Sequence, residues 1–67
     1  MYADPLYLKL RNELKPGQEP ISVADVRTRW GYAESHSRSV LGWMANEQQP
    51  PTMRRLPDVM PQRWERI

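Results

Sequence analysis

The stretch Ile21-Ser22-Val23-Ala24-Asp25-Val26-Arg27-Thr28-Arg29-Trp30-Gly31-Tyr32-Ala33-Glu34-Ser35-His36-Ser37-Arg38-Ser39-Val40-Leu41-Gly42-Trp43-Met44-Ala45-Asn46-Glu47 decides how this chain folds. Its first half carries a helix start: the Ser22 hydroxyl accepts from a free backbone N–H, and Asp25, three residues on, reaches back to the cap. Val23, Val26 and Trp30 then fall at i, i+3 and i+7, one face of a helix. Gly31 follows at once and turns the chain left-handed without steric cost. Beyond it, Tyr32, Val40, Leu41 and Met44 repeat at helical spacing. The spacing predicts a helix from about 23 to 30, a turn, and a second helix from about 35 to 46. Two helices joined by a glycine turn form a helix-turn-helix pattern.

Working outward, Asp4-Pro5 is a helix start of the other common kind, a cap followed by proline at the first helical position. Leu6, Tyr7, Leu10 and Leu14 then share a face. Leu6, Leu8 and Leu10 also alternate as a strand would, and the Asp4 cap favours the helix. Lys15-Pro16-Gly17 ends it, and residues 18–20 link it to Ser22. Gly42 inside the last helix costs about 1 kcal/mol relative to alanine, which points to a close backbone contact or a weak point. After Glu47, Pro50-Pro51 stop the helix and Pro57 and Pro61 predict a mostly irregular tail. Arg54-Arg55-Leu56 is a candidate short strand. Residues 61–67 are read as a single helical turn with Trp64 and Ile67 facing the core. The expected architecture is a mainly α, three-helix domain over residues 1–49 with a Pro/Arg/Trp-containing tail over 50–67.

Sixty-seven residues make room for one domain, which buries only roughly 60% of its unfolded surface. Charged residues are 27% and hydrophobic ones 39% of the chain, the range of folded domains. There is no cysteine, so disulfides and thiolate metal sites are excluded, in keeping with a cytoplasmic location. No apolar run approaches the roughly 20 residues of a membrane span, and Asp4 and Pro5 argue against a signal peptide. Through Gln49 six basic residues balance six acidic ones, and the net charge of +2 comes from Arg54, Arg55, Arg63 and Arg66 against Asp58 and Glu65. That balance permits nucleic-acid binding without demanding it. His36, the single histidine, has no second His or Cys to share a metal with. With no cysteine nucleophile, no phosphate-binding glycine loop and no room for a deep pocket, neither catalysis nor a cofactor nor a small-molecule substrate is expected.

From Leu14 to Glu47 the chain resembles the winged-helix DNA-binding domain of GntR-type bacterial regulators. The matching residues are Pro16-Gly17, Ile21-Ser22-Val23, the Gly31-Tyr32 turn, Arg38, and the Val40-Leu41 pair with Met44. The resemblance implies a DNA-binding regulator of transcription that reads the major groove with its third helix, in the cytoplasm of a bacterial or phage-infected cell. It also has departures. Ala24 stands where the family commonly places a phosphate-binding arginine. Arg27 stands where a small residue is expected between the helices, Ala33-Glu34 where a serine and a basic residue are preferred, and Ser37 where the position is usually apolar. A wing needs two strands and a tight turn, and the stretch after Glu47 offers prolines and no glycine.

On the DNA reading, Ser35, His36, Arg38 and Ser39 face the groove. Arg38 is the strongest candidate because its planar fork pairs bidentately with guanine or phosphate. Arg27, Arg29, Arg54 and Arg55 hold the backbone. Binding as a dimer or cooperatively would offset the few contacts one module makes. The alternative is a phage-type adaptor that docks on host RNA polymerase and inhibits initiation or alters termination. Its partner-binding anchors would be Trp43, Trp64, Tyr2 and Tyr7, since aromatic residues concentrate binding energy at interfaces. The three tryptophans of so short a chain are read first as core, with Trp43 or Trp64 the one to serve as an exposed anchor.

Overall fold

In the computed structural model, which describes residues 3–67, the chain runs α1 (Pro5–Glu13), β1 (Ile21–Ser22), α2 (Val23–Trp30), α3 (Glu34–Asn46), β2 (Met53–Arg55) and β3 (Arg63–Arg66). Tyr2 lies outside the described residues.

Each helix starts where its local chemistry permits. Asp4 caps α1, its carboxylate accepting from the Leu6 N–H at 2.8 Å with Pro5 next in line. The capping box of α2 is complete: Ser22 Oγ accepts from the Asp25 N–H at 3.2 Å, and Asp25 accepts from the Ser22 N–H at 2.8 Å. Gly31 closes α2 at φ 76°, and its N–H bonds the Arg27 carbonyl. α3 begins at Glu34, one residue ahead of expectation, behind Ala33, which offers no side-chain cap.

The core is one cluster fed by every element. Leu6, Tyr7, Leu10 and Leu14 come from the α1 side, Val26 from α2, and Val40, Leu41 and Met44 from α3; Ile21, Met53 and Trp64 complete it from the sheet. Ser37, standing where an apolar residue was expected, is also fully buried. Its hydroxyl donates to the Ala33 carbonyl one turn back at 2.8 Å, so this buried hydroxyl is paired.

The chain after Pro50 departs from expectation. It is not an irregular tail: β2 and β3 pair antiparallel, with Arg54 opposite Glu65 and Arg55 opposite Trp64. β3 also pairs with β1, Ile21 opposite Trp64, giving a three-stranded sheet in the order β1-β3-β2. The short strand at Arg54-Arg55 is present, one residue earlier than expected. The helical turn over residues 61–67 is absent. Arg63-Trp64-Glu65 alternates polar, apolar, polar, and as the central strand β3 satisfies its backbone on both sides, which one isolated helical turn cannot do. Trp64 accordingly faces the core, 3% exposed, while Ile67 is 53% exposed. The missing glycine is replaced by Asp58, which takes φ 57° after Pro57 in the turn between the strands. Aspartate tolerates the left-handed region better than most residues. The radius of gyration, 10.7 Å, is close to the roughly 10.9 Å expected when the whole chain packs together.

Candidate nucleic-acid interface

Three pieces of chain come together beside the turn between α2 and α3. The start of α2 supplies Ser22, Val23, Ala24 and Arg27. The start of α3 supplies Glu34 and Arg38, and the β2–β3 connection supplies Met60, Pro61 and Gln62. They line one groove of about 470 Å³. A shallower depression of about 610 Å³ continues along α3 over Glu34, Ser35, Arg38 and Ser39.

The exposed stripe of α3 follows from helical spacing. Val40, Leu41 and Met44 turn inward, which leaves Ser35, Arg38, Ser39 and Asn46 in solvent with Gly42 partly exposed between them. Beyond the Glu34–Arg38 pair the stripe is short-chained, which leaves the helix backbone open to close approach there. A Cβ built on Gly42 would meet nothing within 4 Å. Neither internal contact nor backbone dihedral therefore requires glycine at that position.

The charges of the groove are partly neutralised within it. Arg38 bonds Glu34 one turn before it at 2.9 Å, with both side chains more than half exposed. Such a pair contributes only about 0.3–0.5 kcal/mol, little enough for a phosphate or a guanine edge to take Arg38 from it. Arg27 is exposed and has no ion-pair partner among the described residues. It does not crowd the approach of the two helices, so the small residue expected there is unnecessary.

The remaining expected contacts are distributed elsewhere. His36 turns away from the α3 stripe: its ring stacks on Tyr32 and its Nε2 lies 3.1 Å from the Asp4 carboxylate. Burial pushes the Asp4 carboxyl up, but the Leu6 N–H, the His36 ring and the Tyr7 N–H outweigh it and hold the group below its usual range. Arg29 lies over the Trp30 ring at 4.8 Å and shares a separate pocket with Glu19, Asp25 and Arg63. Arg54 is bound through two nitrogens to Glu65 across the β2–β3 pair. Arg55 is exposed on β2.

The aromatic residues expected as protein anchors are mainly structural. Trp64 is core, and Tyr7, 5% exposed, is held edge-on to Trp43 at 5.6 Å with its hydroxyl accepting from Gln48 at 3.0 Å. Trp43 remains half-buried over Tyr7. Burial removes Trp64 and Tyr7 as accessible anchors, since each can bury roughly 150–250 Å² only once. The groove residues that sequence reading passed over are Met60, Pro61 and Gln62. Their one signal was the Pro57-Asp58 pair, a turn dipeptide between two polar-apolar runs.

Among the described residues no three His, Cys, Asp or Glu side chains gather in one place, and no helix is long and apolar enough to cross a membrane. Compared with known proteins, the chain matches no family model, no curated protein and no solved structure.

Proposed function

We propose that this protein is a small DNA-binding regulator of transcription that seats duplex DNA against α3. The observation that carries the reading is the single groove lined by the start of α2, the start of α3 and the β2–β3 connection. The order α1-β1-α2-α3-β2-β3 with sheet order β1-β3-β2 is the order expected of a winged helix, which supports the resemblance to GntR-type regulators. The departures recorded in the sequence become less severe in this arrangement. Ala24 places no phosphate-binding side chain at the head of α2, where Ser22 and Asp25 are engaged with each other in the capping box. Arg27, one turn on, supplies the cation.

In this reading Arg38 exchanges Glu34 for a base edge or a phosphate, Ser35 and Ser39 donate to phosphate oxygens, and Arg27 sets the register. One module of this size makes few contacts, so binding is weak per copy and steeply dependent on salt. The direct test is fluorescence anisotropy of labelled duplexes over a series of salt concentrations. The expected result is saturable binding whose logarithm falls linearly with the logarithm of salt. Absence of binding even at low salt rejects the reading.

A second reading rests on Glu34, which leaves the head of α3 electrically neutral and sits where phosphate would be repelled. On that reading the groove grips a protein, host RNA polymerase being the concrete candidate. Recovery of polymerase subunits on the immobilised protein from nuclease-treated bacterial lysate, with no affinity for duplex DNA, is the result that favours it.

A further inference from the structure

We propose that Met60 is an apolar wedge that enters a base step of the bound duplex and kinks it. The inference rests on the DNA reading above and adds to it a residue that the helix-turn-helix does not supply. Two large hydrophobic side chains stand in solvent among the described residues, Met60 at 86% and Ile67 at 53% exposure. Ile67 adjoins Thr52 at the end of the sheet, its N–H bonded to the Thr52 carbonyl, and does not line the groove. Met60 does line it, on the connection between β2 and β3, together with Arg27, Glu34 and Arg38.

Met60 shares the groove with Val23, Ala24, Pro61 and Gln62 and with the charged side chains of Arg27, Arg38 and Glu34. With duplex DNA seated there, a large apolar side chain standing in solvent beside arginines meets the requirements of a wedge. Arginines hold the two backbones while an unbranched side chain replaces stacking between neighbouring base pairs. Methionine suits that task because its thioether is long, flexible and polarisable against an aromatic face. Pro61 beside it adds a second apolar surface without a backbone N–H that would need a partner. Asp58 is the one carboxylate on the connection, and its left-handed φ assigns it to making the turn.

The test uses the full chain and duplexes of about 30 base pairs with a donor and an acceptor dye at the two ends, differing only in the central step. Wild type is expected to shorten the end-to-end distance as a kink of at least about 20° would, most strongly when the central step is TA or CA. Met60→Ala is expected to bind about five- to tenfold more weakly and to leave the duplex straight, on the scale of one lost stacking contact. Met60→Lys is expected to regain affinity through phosphate attraction while still leaving the duplex straight, which separates wedging from charge. Both substitutions lie at an exposed position, so thermal melts should match wild type. If wild type binds and either variant bends DNA as wild type does, the wedge is rejected and the DNA reading survives. If wild type binds no duplex, both are rejected.

Discussion

Asp4 and His36 lie 32 residues apart in sequence and meet at 3.1 Å, His36 Nε2 against the carboxylate that also caps α1. An ionised carboxylate only accepts, so Nε2 carries the proton. The contact ties the first turn of α1 to the first turns of α3. It also turns the one histidine away from the stripe on which a DNA-contacting role had been expected.

Asp4 therefore performs two tasks that substitution separates. Asp4→Ala removes cap and contact together and should cost about 1 kcal/mol, read as a lower urea midpoint. Asp4→Asn keeps a capping oxygen and loses only the charge. The folded carboxyl titrates below its usual value. Its contribution is therefore present above the unfolded pKa of about 3.9 and is lost as pH falls through the lower folded value. The acid limb of stability against pH should accordingly be shallower for Asp4→Asn than for wild type. Parallel acid limbs would show that the contact is not formed in solution.

Trp64→Ala tests whether the last strand belongs to the core. Truncating a buried tryptophan costs about 3–5 kcal/mol, and a domain of this size has a total stability of only about 3–10 kcal/mol. The variant should be largely unfolded by circular dichroism at physiological temperature. A cooperative melt close to that of wild type would mean that residues after Pro50 are dispensable to the fold.

Gly42→Ala sets stability against function. With open space around the added methyl group, the substitution should stabilise by about 1 kcal/mol and raise Tm by roughly 4–8 °C. If the α3 stripe is pressed against a partner, the same methyl group should weaken duplex binding several-fold. A variant that is both more stable and equally tight would remove Gly42 from the interface.

Asp58 offers a test of the turn. Asp58→Ala should cost roughly 1 kcal/mol because alanine pays more to hold a left-handed φ, whereas Asp58→Gly should be neutral to slightly stabilising. Chemical denaturation of the three proteins should rank them in that order. Equal stability of the alanine variant would place the residue outside the left-handed region.

Arg27 and Arg38 are distinguished by salt. Arg27→Ala should reduce the slope of log affinity against log salt by about 1, as one lost phosphate contact does, and weaken all sequences alike. Arg38→Ala should cost about 1–3 kcal/mol at a preferred sequence and less elsewhere if it reads a base. Identical behaviour of the two variants would reduce Arg38 to a phosphate contact.

The helices were legible because their signals are local. Ser22 and Asp25 close a box over four residues, Gly31 turns left-handed at its own dihedral, and apolar residues at helical spacing mark the buried faces of α2 and α3 without reference to any other part of the chain. The sheet was not legible. β1 is two residues long, and it is a strand only because Trp64, more than forty positions away, brings β3 beside Ile21. The same long-range pairing turned Arg63-Trp64-Glu65 into a strand where local reading favoured a helical turn, and it buried the tryptophan that had been a candidate anchor. Proline and the lack of glycine argued against a hairpin, and Asp58 made one by accepting a backbone conformation that sequence alone does not assign to it. The groove follows from that hairpin. Sequence alone determined the helix-turn-helix, since capping and periodicity act over a few residues; tertiary structure decided what faces it, since strand pairing is settled by partners far along the chain.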